Sequence, residues 1–153
     1  MAKKWTELAI EQRRLKAITA NQELYLDALQ TAKAVICTGP AGSGKTYMAC
    51  GKAVELLKAG KVSRIVITRP LLQCGEKMGD LPGDAWEKMQ DLLSPLTEAL
   101  SEFAGAAELR KMREDGRFVA AQLGKLRGAT LQGAFVILDE AQNASYAQLH
   151  MFL

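Results

Sequence analysis

The octet GPAGSGKT at residues 39–46 constrains the fold of this chain more than any other part of its sequence. It has the form G-x-x-x-x-G-K-[ST], in which glycines allow a tight turn that aims several backbone N–H groups at one place. An apolar, strand-like run precedes the octet and a helical pattern follows it, so the cradle would lie at a helix N-terminus, where phosphate binds well. The octet therefore predicts a phosphate-binding loop between a strand and a helix, which is one half of a nucleoside triphosphate site.

Two residues after the last glycine of the octet carry the predicted chemistry. Lys45 is expected to reach the β- and γ-phosphates of ATP, and the Thr46 hydroxyl is expected to ligate the Mg²⁺ that bridges them. An ordinary glycine-rich turn would not explain why lysine and threonine follow in that order. The residues predicted to hold the nucleotide in the loop are Gly39, Pro40, Ala41, Gly42, Ser43, Gly44, Lys45, Thr46 and Tyr47.

The second half of the site is the segment FVILDEAQN at residues 135–143, where a continuous apolar run meets two acidic residues. Such a run predicts a strand buried on both faces, and ligands of open α/β sheets lie beyond the carboxyl ends of the strands. We therefore expect Asp139 to hold Mg²⁺, Glu140 to activate the attacking water and Gln142 to sense the γ-phosphate. The alternative is that the acidic pair only ends a strand and opens a helix with Asn143 as its N-cap.

Composition argues against several other classes of protein. The 153 residues are 48% apolar and 24% charged, which is ordinary for one globular domain. No apolar run reaches the ~18 residues of a membrane span, and the first residues lack the apolar stretch of a secretory signal, so a cytoplasmic protein is predicted. A net charge of +3 and 6% aromatic residues supply neither a basic stripe nor a stacking platform for a bare nucleic-acid binder. The cysteines lack metal-ligand spacing and are expected to be small hydrophobic residues.

Hydrophobic periodicity predicts one α/β domain over the whole chain, with a helical lead-in over residues 1–30 and a nucleotide-binding core over residues 31–153. Thr19 and Gln22 form a T-x-x-Q capping box that would begin the second helix of the lead-in. The other predicted elements are helices at residues 5–17, 45–59, 85–103 with a break at Ser94-Pro95, and 106–115, strands at residues 33–38, 64–68, 118–121 and 134–139, and a long folded loop at residues 71–83.

Further phrases are recognisable around the two motifs. They are Thr68-Arg69-Pro70, GEKMGDLPGD at residues 75–84, Leu126-Arg127-Gly128 and AFVILDEAQN. Together they closely resemble the PhoH family of P-loop ATPases, in a match that runs from about Asn21 to the last residue. The resemblance implies a P-loop NTPase fold similar to RecA and superfamily 1 helicases, a mostly parallel sheet flanked by helices. It also implies Mg²⁺-dependent ATP hydrolysis, action on RNA and assembly into rings.

The resemblance implies roles for residues outside the two nucleotide motifs as well. Gln22 lies where the family contacts the nucleotide base, although its place in the capping box leaves a purely structural role open. Arg69 lies where related helicases touch the nucleic-acid backbone, and a local ion pair with Glu76 is the alternative. For Arg127 four roles stay open, namely contact with phosphate, with RNA or with a neighbouring subunit, or plain exposure to solvent. The candidate nucleic-acid residues are Thr68, Arg69, Lys77 and Arg127.

The chain departs from the family pattern in one respect. It ends in the helix after the acidic strand, where relatives continue with a strand that carries a sensor segment and later with an arginine. Because that strand lies between the loop strand and the acidic strand in related ATPases, its absence predicts unpaired backbone groups within the sheet. A truncated or split product, a partner chain, or a rearranged sheet would each account for the difference.

Two functions from different classes therefore compete. An RNA-linked ATPase would use the residues of both motifs for hydrolysis and the long loop for coupling to RNA. A nucleotide-binding or assembly module would hold ATP without efficient turnover, because no sensor residue or arginine finger is supplied in cis. A homo-oligomeric ring or a partner chain would complete the site in either case, with Arg110, Arg113 or Arg127 of a neighbour as candidate fingers.

Overall fold

Three runs rich in β-branched and other apolar residues form a parallel sheet in this chain. The structure is a computed structural model that describes residues 14–70, 85–126 and 128–152, with the backbone alone at residues 85–92 and 125. The helices are α1 (Ala20–Thr31), α2 (Lys45–Lys58), α3 (Ala85–Ala104), α4 (Ala106–Glu114) and α5 (Tyr146–Phe152), and the strands are β1 (Arg64–Arg69), β2 (Phe118–Gln122) and β3 (Ala134–Leu138). Short 3₁₀ helices cover Leu123–Leu126 and Ala141–Asn143. The predicted α/β class is confirmed.

The strand order in the sheet is β2-β1-β3, and both pairings are parallel. Ile67 of β1 aligns with Ala120 on one side and with Ile137 on the other. Four successive residues of β1 are buried, as expected for the central strand of a parallel sheet that is covered on both faces. The predicted mostly parallel sheet is therefore confirmed, and each of these three strands lies within one residue of its predicted bounds.

The strand predicted at residues 33–38 is wrong as a strand. Among the described residues, residues 34–38 pair with no strand, and Ile36 is 87% exposed. Within the same described part, β3 pairs only with β1, and only one of its five residues is buried. An apolar run becomes a strand only when a neighbour accepts its backbone hydrogen bonds. The segment before the phosphate loop thus has the apolar pattern of a strand, but it forms no hydrogen-bonded ladder with any described strand.

The break predicted at Ser94-Pro95 is also wrong, because α3 continues through Pro95 to Ala104. Proline inside a helix removes one hydrogen bond and costs about 3 kcal/mol. The apolar face of α3 is deeply buried around it, with Leu96 and Leu100 both 0% exposed. Full burial of a leucine contributes about 1.5–3 kcal/mol, so two such residues offset the cost of the proline.

The start of α1 confirms the predicted helix boundary. Thr19 is the N-cap, and its hydroxyl oxygen accepts a hydrogen bond from the Gln22 backbone N–H at 3.2 Å. Residues 14–17 are not helical, and the remainder of the lead-in helix predicted at residues 5–17 lies outside the described residues, as does the loop predicted at residues 71–83.

The hydrophobic core lies between the sheet and the helices α2, α3 and α4. Helices α2 and α3 approach each other closely at Gly51, where an added Cβ would lie 2.9 Å from Cζ of Phe103. In the described ranges, no helix is both long enough and apolar enough to cross a membrane. The most deeply buried core residues are Cys50, Ala53, Ile65, Ile67, Leu93, Leu96, Leu100, Ala104 and Met112.

We expect Leu100→Ala to lower the free energy of unfolding by about 2–5 kcal/mol, because it removes a fully buried side chain and leaves a cavity. Leu24→Ala is the matched control, since Leu24 is 69% exposed and its loss should change stability by less than about 0.5 kcal/mol. Urea unfolding followed by circular dichroism measures both values. Equal losses in the two variants would contradict this description of the core.

Candidate functional site

The phosphate loop turns tightly between residues 34–38 and α2. Gly42 and Gly44 have φ angles of 76° and 84°, in the left-handed region that favours glycine. Gly44 is the N-cap of α2, and no side chain caps the helix from that position. The first backbone N–H groups of α2 are therefore left to be satisfied from outside the cap, which is how helix N-termini bind anions.

Lys45 folds back across the loop. Its ammonium donates hydrogen bonds to the carbonyl oxygens of Gly39 and Pro40, each at 2.8 Å, and the Ser43 hydroxyl donates to the Pro40 carbonyl at 2.9 Å. These contacts hold the positive charge over the loop that precedes the helix. Triphosphate oxygens can take the place of the carbonyls as partners of the ammonium, which is the role predicted for Lys45.

One hydrogen bond joins the phosphate loop to the acidic strand. The Thr46 hydroxyl donates to Oδ1 of Asp139 at 2.8 Å, although the two residues are 93 positions apart in sequence. Asp139 is placed by the sheet, because its backbone N–H donates to the Thr68 carbonyl at 3.0 Å and extends the pairing of β3 with β1 by one residue. The structure thus brings the two sequence motifs together.

The donor chemistry at this contact fits magnesium. Thr46 and Asp139 present a hydroxyl and a carboxylate, which are the hard oxygen ligands that Mg²⁺ prefers. Among the described residues, no cluster of three histidine, cysteine or acidic side chains could hold a metal ion by itself. A magnesium ion at this place would therefore depend on phosphate oxygens and water for its remaining ligands.

Glu140 follows Asp139 in an uncommon backbone conformation. Its φ and ψ of 52° and 40° are left-handed, and it is the one non-glycine residue with positive φ in the described chain. An Arg69 nitrogen lies 3.3 Å from Oε1 of Glu140, and the Gln142 amide donates to Oε2. Strained backbone of this kind persists only where its surroundings hold it, and it clusters at functional sites.

Arg69 forms an ion pair that the sequence did not predict. Arg69 ends β1 beside β3 and pairs there with Glu140, whereas the predicted ion pair with Glu76 lies outside the described residues and stays a prediction. Sequence reasoning missed this pair because the two residues are 71 positions apart. Arg69 ends β1 and Glu140 lies two residues beyond β3, and this placement at the strand ends was the available signal.

Of the three other candidate nucleic-acid residues, only Thr68 lies in the described part of the structure. Thr68 is 0% exposed, so the prediction that its side chain contacts nucleic acid is not supported by this fold. Its hydroxyl is buried and has no hydrogen-bond partner among the described residues. Lys77 and Arg127 lie outside the described residues. Arg69 is therefore the member of this group that the structure describes with a partly exposed side chain, 26% of which is accessible.

Two predicted nucleotide contacts have other partners in the structure. The Tyr47 hydroxyl donates to Oε2 of Glu102 at 3.1 Å, and its ring lies 4.8 Å from that of Phe103, so the side chain ties α2 to α3. The Gln22 side-chain amide donates to the Ser43 carbonyl oxygen at 3.1 Å. Gln22 thus contacts the phosphate loop itself, a contact that the sequence did not predict.

Burial raises the pKa values of two side chains near the site. Desolvation raises the pKa of the Cys50 thiol to about 12, and the negative charge of Asp139 adds to the effect. Desolvation also raises the pKa of Tyr25 to about 12, with a smaller contribution from Cys37. Cys50 therefore stays a neutral thiol at physiological pH and behaves as a core residue, as predicted, instead of a nucleophile.

A double-mutant cycle tests the contact between the two motifs. Thr46→Val and Asp139→Ala should show a coupling of about 1.5 kcal/mol or more in the free energy of unfolding, because a hydrogen bond to a charged group is lost in either variant. Chemical denaturation of the two single variants and the double variant gives this value.

Thr97→Val is the matched control for the cycle. The Thr97 hydroxyl donates to the carbonyl oxygen of Leu93 within its own helix, so this variant should be additive with Asp139→Ala to within about 0.5 kcal/mol. Additivity of Thr46→Val with Asp139→Ala would show that the 2.8 Å contact contributes nothing.

Comparison with known proteins agrees with the geometry of the site. A family model described as PhoH-like protein matches residues 14–153. The chain is 45% identical over 139 residues to a PhoH-like protein of Bacillus subtilis (strain 168), covering 91% of this chain and 44% of that protein. It is 44% identical over 149 residues to a PhoH-like protein of Mycobacterium tuberculosis (strain H37Rv), covering 95% and 42%, respectively.

A third relative is more distant in sequence. Protein PhoH of Escherichia coli (strain K12) is 41% identical over 131 residues, which cover 84% of this chain and 37% of that protein. The chain thus spans less than half the length of these curated relatives. The family match extends across the phosphate loop and the acidic strand. On this evidence, the chain belongs to the PhoH-like family of P-loop NTPases.

Proposed function

We propose that this protein binds ATP with Mg²⁺ and hydrolyses it. The observation that carries the proposal is the 2.8 Å hydrogen bond between Thr46 and Asp139, because it places a phosphate loop and a strand-end carboxylate at one site. In P-loop NTPases a hydroxyl and a carboxylate in these positions share the metal ion that accompanies the triphosphate. An α/β domain without a nucleotide site would have no functional need for a lysine, a threonine and two acidic residues together at this place.

Each residue of the site has a task that follows from its position. Lys45 exchanges its loop carbonyl partners for the β- and γ-phosphate oxygens, and the uncapped N-terminus of α2 adds backbone donors. Thr46 and Asp139 would hold Mg²⁺, which when bound neutralises charge on the phosphates. Glu140, one residue beyond Asp139, takes the proton of the attacking water.

Coupling of hydrolysis to RNA rests on Arg69. Its guanidinium pairs with the carboxylate of Glu140, and 26% of the side chain is exposed to solvent. A guanidinium that binds a carboxylate in this way is also suited to a nucleic-acid phosphate. Contact of RNA with Arg69 would then change the surroundings of the proposed general base. On this proposal, the protein is a cytoplasmic, helicase-like ATPase that remodels RNA.

A second candidate function is nucleotide binding without efficient turnover. Both carboxylate oxygens of Glu140 already have partners, Arg69 at one and Gln142 at the other, so the carboxylate would have to give up a contact to face an attacking water. An arginine finger contributes about 10³–10⁵ in rate in related enzymes. A neighbouring subunit in a ring, or a partner chain, would supply that arginine and complete the site.

Substitution of the general base separates binding from chemistry. Glu140→Gln should lower the rate of ATP hydrolysis by about 10²–10⁴ while leaving ATP affinity within about threefold, because the amide cannot accept the proton of water. Lys45→Ala should instead weaken ATP binding by about tenfold or more, since a charged hydrogen-bond donor to phosphate is lost. Steady-state phosphate release and equilibrium binding of a labelled ATP analogue measure the two effects.

Glu55→Gln is the control for removal of a glutamate. Glu55 pairs with Lys52 on the surface of α2, so its loss should leave both quantities unchanged. Hydrolysis by Glu140→Gln at the wild-type rate would rule out Glu140 as the general base. Absence of turnover in the wild type, with ATP binding intact, would favour the second candidate function.

Replacement of Arg69 tests the connection to RNA. Arg69→Gln should abolish any stimulation of hydrolysis by single-stranded RNA and lower the salt dependence of RNA binding by about one phosphate contact. The comparison is made with hydrolysis rates at several RNA concentrations and with binding at several salt concentrations.

Arg117→Gln provides a matched control. Arg117 also forms ion pairs, with Glu108 and Asp115, but it precedes β2 and therefore lies at the opposite edge of the parallel sheet. This variant should respond to RNA as the wild type does. Equal responses of both arginine variants to RNA would remove Arg69 from the proposed interface.

A further inference from the structure

The side chain of Gln22 is held at both ends by protein backbone. Its Nε2 donates to the carbonyl oxygen of Ser43 in the phosphate loop at 3.1 Å. Its Oε1 accepts a hydrogen bond from the backbone N–H of Ile18 at 2.8 Å. These two bonds connect the chain just before α1 with the loop that precedes α2.

The orientation of this amide follows from its partners alone. The Ile18 N–H can only donate and the Ser43 carbonyl can only accept, so the oxygen must face Ile18 and the nitrogen must face Ser43. The opposite orientation would place a donor against a donor at Ile18 and an acceptor against an acceptor at Ser43. The hydrogen bonds therefore fix the plane of the amide before any ligand is considered.

The contact acts on the part of the loop that faces a phosphate. Because the peptide between Ser43 and Gly44 is planar and trans, a carbonyl oxygen drawn toward Gln22 turns the Gly44 N–H to the opposite side. That N–H directly precedes the first turn of α2, where the anion-binding donors lie. Gln22 thereby orients one of the donors that the loop offers to the triphosphate.

Packing at Gly44 adds a second connection between the same two elements. A Cβ at Gly44 would lie 3.2 Å from Nε2 of Gln22, which is tighter than ordinary van der Waals contact. The amide thus lies directly against the glycine that caps α2 with a φ of 84°. A side chain at this position of the loop would collide with Gln22 in addition to straining the backbone.

We propose that Gln22 is a positioning residue of the phosphate loop, which sets the affinity for the triphosphate and not the choice of base. This inference rests on the proposed function, because it concerns the same nucleotide site. It assigns to the start of α1 a role in phosphate binding, through the Ser43 peptide, in place of the base contact that the family resemblance implies.

Inorganic tripolyphosphate tests the proposal, because it carries the phosphates of ATP without a base. We expect Gln22→Met to weaken the binding of ATP, of GTP and of tripolyphosphate by the same factor, about five- to tenfold, when each is measured by calorimetry with Mg²⁺. Methionine keeps the length and helix propensity of glutamine but makes neither hydrogen bond.

Two control variants separate the loop contact from general effects on α1. Gln30→Met changes an exposed glutamine near the other end of the same helix and should alter no affinity. Thr19→Ala removes the N-cap of α1 and should lower stability without reducing tripolyphosphate affinity. Amide hydrogen exchange adds a readout without ligand, because the Ile18 N–H donates to Oε1 of Gln22 and should exchange faster in Gln22→Met than in the wild type.

The possible results separate the alternatives. Loss of ATP affinity with unchanged tripolyphosphate affinity would make Gln22 a base-reading residue and overturn the proposal. Unchanged affinities for all three ligands, or unchanged exchange at Ile18, would overturn it as well. A wild-type protein that binds neither ATP nor tripolyphosphate would instead contradict the proposed function.

Discussion

The hydrogen bond between Thr46 and Asp139 is the contact on which the candidate site depends. It joins the first turn of α2 to the residue that follows β3, two elements separated by most of the chain. Without it, the phosphate loop would be a basic turn ahead of a helix, and the acidic pair would be the end of a strand. With it, a lysine, a hydroxyl and a carboxylate converge at one edge of the sheet. This convergence is what makes nucleotide chemistry the best account of the fold.

The sheet supplies the geometry for that convergence. Because β1 and β3 are parallel and paired in register, Arg69 at the end of β1 and Glu140 just beyond β3 lie at the same edge of the sheet as Asp139. The left-handed backbone at Glu140 then turns its carboxylate toward Arg69 and Gln142. A proposed catalytic base and a proposed RNA contact are therefore linked by an ion pair. The site is coupled to the surface through two strand ends, with no need for a distant element.

Sequence patterns predicted the elements whose partners are implied by their own composition. The runs at β1, β2 and β3 are mostly apolar and lie between helical patterns, so their positions were predicted to within a residue. The run before the phosphate loop has a similar composition but lacks a paired neighbour, and Ile36 is left 87% exposed. Proline predicted a helix boundary at Ser94-Pro95, yet the burial of Leu96 and Leu100 outweighs that local preference. The resemblance placed Thr68 among the candidate nucleic-acid contacts, but the central position of β1 buries its side chain.

The sequence by itself determined the chemistry of this protein, because a phosphate loop with Lys45 and Thr46 and a strand that ends in Asp139 and Glu140 have few uses apart from binding a nucleotide. It also determined the α/β class, through apolar runs that alternate with helical patterns. Only the tertiary structure decided which side chains touch. The pairing of Arg69 with Glu140 and the bond from Gln22 to the Ser43 carbonyl join residues far apart in the chain. Such contacts follow from strand order and helix packing, which are set by the burial of the whole core and not by any local pattern of residues.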